Sequence, residues 1–190
     1  MNAFYSNILN LFNSKEEYLK NLVNTRSLGF GMLGYLAGAF CLTFFLNFST
    51  GCGPWSFLGQ TFLYFVLMVL SAFFFASVTQ MFLDLTAKTG NAPGLFALIG
   101  ISEFAKILLI CGVLIAGLTK GNTTAMSAVF AIVLICQLVW LISLVAKAYT
   151  MKKGMVVLSL LATIIPSFIA VVVMVFLTIA GIVGLIISLV

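Results

Sequence analysis

Hydrophobic and polar positions in this chain do not alternate; they segregate into blocks. A polar start is followed by five apolar runs: Leu28 to Phe48, Phe57 to Leu83, Leu95 to Leu118, Thr123 to Ala146 and Met155 to Val190. Each of the first four meets the length of about 20 residues that a helix needs to cross a hydrocarbon core of about 30 Å. Backbone amides find no water inside lipid, so such runs are expected to close their hydrogen bonds as helices. The fifth run carries no charge. As one helix it would extend about 54 Å at ~1.5 Å per residue, more than one crossing requires. It is read as a single long span, kinked or begun near Pro166, with Gly181 and Gly184 at the far interface. Two short spans are the alternative. The expected fold is all-α: a polytopic transmembrane helix bundle of five spans over residues 28–190.

Residues 1–27 form the one sizeable polar region. Phe4, Ile8, Leu11 and Phe12 recur at helical spacing, as do Tyr18, Leu19, Leu22 and Val23. Ser14-Lys15-Glu16-Glu17 matches a capping box, which predicts a short helix opening at Lys15. An amphipathic segment beside a first span is expected to lie in the membrane interface with its apolar face on lipid, and partner binding is the alternative.

Composition agrees with a lipid-facing surface. The chain is 63% hydrophobic and 7% charged, against about 25% charged residues in soluble domains. Its formal charge of +5 comes from basic residues scattered singly or in twos between apolar runs. They read as topology signals and lipid-headgroup contacts, not as a nucleic-acid surface. With five spans, Lys15, Lys20, Arg26, Lys88, Lys147, Lys152 and Lys153 fall on the N-terminal side and Lys120 alone on the other. That asymmetry places the N-terminus in the cytoplasm and the C-terminus outside. In a prokaryote the protein is expected in the inner or plasma membrane. Of Cys41, Cys52, Cys111 and Cys136, only Cys52 falls in an outside loop, so no disulfide framework is expected.

Candidate chemistry is sparse. The chain has no histidine, the commonest general base and metal ligand. It has no HExxH, P-loop or GxSxG motif. Catalytic, cofactor-binding and metal-binding residues are therefore not expected, and the chain reads as a non-enzyme. Glu103 and Lys106 are the exception to an apolar interior, about 12 Å and 16 Å into the third run. A charge at the bilayer centre costs at least about 2.5–3.5 kcal/mol, so both should face the bundle interior. Their i,i+3 spacing puts them on one helix face, where they neutralise each other. Two roles stay open: an ion pair that fixes packing, or a site for a headgroup, ion or proton.

Other polar residues have plainer readings. Asp84 and Lys88 stand at i,i+4 as an exposed pair at a helix end. Gln80 and Gln137 read as interhelical hydrogen-bond partners. Gly34 and Gly38 form a GxxxG motif, and Ala72 with Ala76 a second small-residue pair; both permit close helix approach within the bundle or between protomers.

The stretch Gly90-Asn-Ala-Pro93-Gly94-Leu-Phe-Ala-Leu-Ile-Gly100 resembles the loop and third helix of the Yip family of small multipass membrane proteins. Five spans, short cytoplasmic connections and Lys147-Ala-Tyr149 leading into Lys152-Lys153-Gly154 are also similar. Where that family often has an aromatic and a proline after the glycine, this chain has Ile101 and Ala105. The long soluble arm of the trafficking members is not seen, and the short prokaryotic type is the nearer match. The resemblance implies a non-enzymatic membrane protein organising lipid or membrane-protein partners, as a homo-oligomer or with other proteins. The alternative is a small transporter or substrate-capture component built on Glu103 and Lys106.

Overall fold

The computed structural model describes residues 16–25, 28–48, 51–85, 91–118, 122–166 and 169. Among them all regular structure is helical. A short α1 (Glu16–Asn24) precedes α2 (Gly29–Asn47) and the long α3 (Pro54–Leu85). The third apolar run forms α4 (Ala92–Ser102), a 3-10 segment (Glu103–Ile107) and α5 (Leu108–Leu118). Then come α6 (Thr123–Ala148) and α7 (Lys153–Pro166). Four helical units are long and apolar enough to cross a membrane: α2, α3, the third run over Ala92–Ile115, and α6. The chain is an all-helical bundle of membrane-protein type.

Local signals fix where helices start. Asn91 opens α4 by accepting a hydrogen bond from the Gly94 N–H at 2.6 Å, with Pro93 in the first turn, where a missing N–H costs nothing. Asn122, the asparagine of an Asn-Thr-Thr sequence, opens α6 by accepting from Thr124 and Ala125. The α3 helix has 32 residues, about 48 Å of rise, so it must tilt or overhang a 30 Å core.

The third run is the hub. It packs against α2, α3 and α6, and α2 also lies along α3. The α2–α4 contact is backbone on backbone. A Cβ at Gly31 would stand 2.8 Å from the Ala97 Cα, and one at Gly34 would collide with the Gly100 carbonyl. A Cβ at Gly100 would in turn collide with the Gly31 backbone. The Gly34–Gly38 motif is thus spent inside the bundle, where small residues trade side-chain volume for close helix approach.

Two further findings refine the sequence expectations. The apolar face of α1, formed by Leu19, Leu22 and Val23, is buried against α4 and α6 rather than on lipid. Helical spacing reveals an apolar face but not what covers it. Residues 1–15, including the start of the expected capping box, lie outside the described residues, as do Arg26, Lys88, Gly90, Lys120 and the Gly181–Gly184 tail. The final apolar run begins its helix at Lys153, so it does not begin near Pro166, and the expected kink there falls at the edge of the described residues. Thr163 and Thr79 join α7 to α3 by a hydroxyl bond of 2.9 Å.

Candidate functional site

The apolar core is divided in two. The larger part gathers Tyr35, Leu95 to Ile99, Ile101, Leu141, Leu144 and Val145. The smaller gathers Phe45, Leu109, Val113 and Val133. Every helix that enters both parts carries a polar or backbone-only position between them: Gly38 on α2, Glu103 and Lys106 on the third run, and Gln137 on α6. These residues form a polar layer across the middle of the bundle.

Glu103 and Lys106 are each 7% exposed. The Lys106 Nζ lies 2.5 Å from Glu103 Oε2. Local geometry assists the pair, because in a 3-10 helix residues i and i+3 eclipse one another. At the junction the Glu103 N–H turns to the Gly100 carbonyl, three residues back. Gln137 Nε2 donates to Glu103 Oε1 at 2.9 Å, and Lys106 also reaches the Met68 sulfur of α3 at 3.9 Å. Gly38 seats the carboxylate: a Cβ there would lie 3.0 Å from Glu103 Oε2 and 3.2 Å from its Cβ. Four helical units therefore meet on one carboxylate–ammonium pair.

The layer leaves some bonding capacity unused. Among buried side-chain polar atoms of the described residues, Glu103 Oε2 and Gln137 Oε1 lack a hydrogen bond, although the first is ion-paired. Gln137 cannot turn its oxygen toward Glu103 without setting it against an ionised carboxylate.

Sequence reasoning placed Glu103 and Lys106 at this depth and on one face, and read Gln137 as an interhelical partner. It missed the 3-10 change of pitch, the seat at Gly38 and the sulfur of Met68. A glycine and a methionine in apolar runs give no polar signal of their own.

A second polar cluster ties the N-terminal end of α4. Asn91 Nδ2 donates to the Val23 carbonyl of α1 at 3.0 Å. The Tyr149 hydroxyl, just past the end of α6, lies 3.3 Å from Gln80 Oε1 and 3.4 Å from the Asn91 carbonyl. Gln80 Nε2 in turn donates to Asp84 Oδ1 at 2.6 Å, which places Asp84 in this cluster. Burial, with a smaller contribution from the Asp84 charge, pushes the Tyr149 phenol up to about 12. Gly94 belongs here as well, since a Cβ would meet Val23 Cγ1 at 2.7 Å. Pro93 and Gly94 thus serve helix initiation and the docking of α1.

Among the described residues no group of three or more histidine, cysteine, aspartate or glutamate side chains is placed to hold a metal ion. No protein-family model matches the chain, and no curated protein or solved structure is detectably similar to it.

Proposed function

We propose that the chain is a five-span, Yip-like membrane protein without catalytic activity, with its N-terminus in the cytoplasm, which organises lipid or membrane-protein partners. The observation that carries this reading is where the apolar surface lies. Only 17% of the α3 window and 22% of the α6 window are buried. The interior is closed by glycine contacts and by a charge pair that neutralises itself, so the molecule meets its surroundings through these two outer faces. Clustering of Lys147, Lys152 and Lys153 with α1 at the Tyr149 end supports the orientation.

Native mass spectrometry from gentle detergent tests the role. Bound phospholipid or a homodimer, unchanged in Glu103→Gln/Lys106→Met, is the expected result. A tightly bound soluble molecule would sink it. Orientation is tested separately: a membrane-impermeant maleimide should label Cys52 from outside intact cells, and its protection there would reverse the topology.

A second reading, a transport or substrate-capture component, is favoured by one feature. The third run changes helical pitch where its charges lie, and irregular backbone at membrane depth is tolerated where it is buried in protein or lines a cavity. A soluble molecule lost in the double variant would select it.

A further inference from the structure

The corner between α6 and α7 sorts its residues by chemistry. Tyr149 and Met151 turn inward onto the larger core, and Tyr149 is held there by Gln80 and the Asn91 carbonyl. Thr150 reverses the chain at φ 50, and the Met151 N–H closes the end of α6 by donating to the Ala146 carbonyl at 2.9 Å. That bond brings the residues that follow its two ends, Lys152 and Lys147, to one tight turn. Lys147, Lys152 and Lys153 are all exposed.

These lysines have no internal partner. Among the described residues none of the three forms an ion pair; Glu16 is taken by Lys20 and Asp84 by Gln80. Lys152 and Lys153 gain nothing from their own helix, whose dipole disfavours cations at its start. Topology asks for positive charge at this end of the bundle. It does not ask for three unpaired lysines on a turn pinned to the core.

Apolar surface begins within one turn of them. Met155, Leu158 and Leu161 are exposed on one side of α7, while Val156 and Leu160 face the core. A basic turn that runs into an apolar stripe matches an amphiphile with a negative head. We propose that the α6–α7 corner binds an anionic phospholipid, its phosphate on Lys147, Lys152 and Lys153 and an acyl chain along Met155, Leu158 and Leu161. Free phosphate would fit the lysines and leave the stripe unused. Phosphatidylcholine would fit the stripe but carry its own quaternary ammonium to the lysines. The inference deepens the lipid-organising role proposed above and rests on it, naming the lipid class and the place where it sits.

The test uses the full chain in mixed micelles that hold dioleoylphosphatidylglycerol and dioleoylphosphatidylcholine in equal amounts, so that the acyl chains are the same. Native mass spectrometry counts each lipid retained. Phosphatidylglycerol should be preferred, and the preference should fall about fivefold for each of the three lysines changed to glutamine, roughly a hundredfold for all three. Lys20→Gln removes a positive charge already paired with Glu16 and should leave the preference within about twofold. Added salt should weaken it, and millimolar inorganic phosphate should not displace the lipid. A preference unchanged in the folded triple variant, or lowered as much by Lys20→Gln, would overturn this site and leave the lipid-organising reading standing. Displacement by inorganic phosphate would overturn the lipid assignment in favour of a free anion. Retention of neither lipid, with a soluble molecule bound in their place, would sink the organising reading and this site with it.

Discussion

The third apolar run and α3 are both apolar helical segments of membrane-spanning length, yet they are built to opposite rules. The third run buries 61% of its window and α3 only 17%. One changes pitch midway and carries two charges there; the other is a single helix of 32 residues whose one charged side chain, Asp84, stands beside its last residue. Glycines make the same contrast. Gly31 and Gly34 of α2 and Gly100 of the third run meet backbone, whereas a Cβ at Gly59 of α3 would meet nothing within 4 Å. Hydropathy does not separate the two, since both windows have a mean value of 2.2. What separates them is which helix the others close upon.

The largest expected effect is at the glycine contact. Gly34→Ala drives a Cβ onto the Gly100 carbonyl, and the backbone, unlike a side chain, cannot rotate away. A collision with main chain exceeds ordinary overpacking, so the variant should fail to give a monodisperse peak in detergent at all. Gly59→Ala should leave that peak intact and gain up to about 1 kcal/mol from helix propensity. Equal tolerance at both positions would erase the contrast between the helices.

Next comes the charge pair. Lys106→Met alone leaves a buried carboxylate without its counter-ion and should cost about 3–5 kcal/mol. Glu103→Gln/Lys106→Met removes both charges and should recover most of that loss. A double-mutant cycle on unfolding in mixed micelles measures the difference, and simple additivity would mean that the two side chains do not act as a pair.

These two predictions also mark how far the sequence could be read. The boundaries of the first four spans were legible to within a few residues, because lipid leaves the backbone no alternative to a helix. Glu103 and Lys106 were legible as an interior pair, because their cost in lipid dictates their face. Spacing alone did not reveal that Gly38 seats Glu103, that the third run tightens at Glu103, or that α1 lays Leu19, Leu22 and Val23 on the bundle. Each depends on which neighbour arrives, a tertiary fact that a pattern of apolar positions leaves open.

The joint between the two regions sits at Tyr149, which reaches Gln80 on α3 and the carbonyl of Asn91 at the head of the third run. Its phenol is held at about 12, above the ordinary value of 10.0. The contribution of the neutral phenol is therefore complete below pH 10 and is lost as the pH rises through about 12, amounting to about 2–3 kcal/mol. Unfolding temperature should fall across that alkaline window, and Tyr149→Phe should flatten the fall while costing about 1 kcal/mol at neutral pH. An unchanged alkaline slope in Tyr149→Phe would place the titrating group elsewhere.

The smallest expected effect lies on the outer face of α3. Leu70 is 62% exposed, whereas Leu98 of α4 is fully buried. Leu98→Ala opens a cavity among packed neighbours and should cost about 2–5 kcal/mol. Leu70→Ala exchanges one apolar surface for another against lipid tails, which are as apolar as leucine itself, so its effect on monomer stability should stay within about 0.5 kcal/mol. The useful measurement is a pair of readouts on this one variant, unfolding temperature and oligomeric state in detergent. Unchanged stability with a weakened homodimer would identify the α3 face as the surface where a second copy binds. Unchanged values of both would leave that face to lipid, and a loss of stability comparable with Leu98→Ala would show that α3 is packed as the third run is.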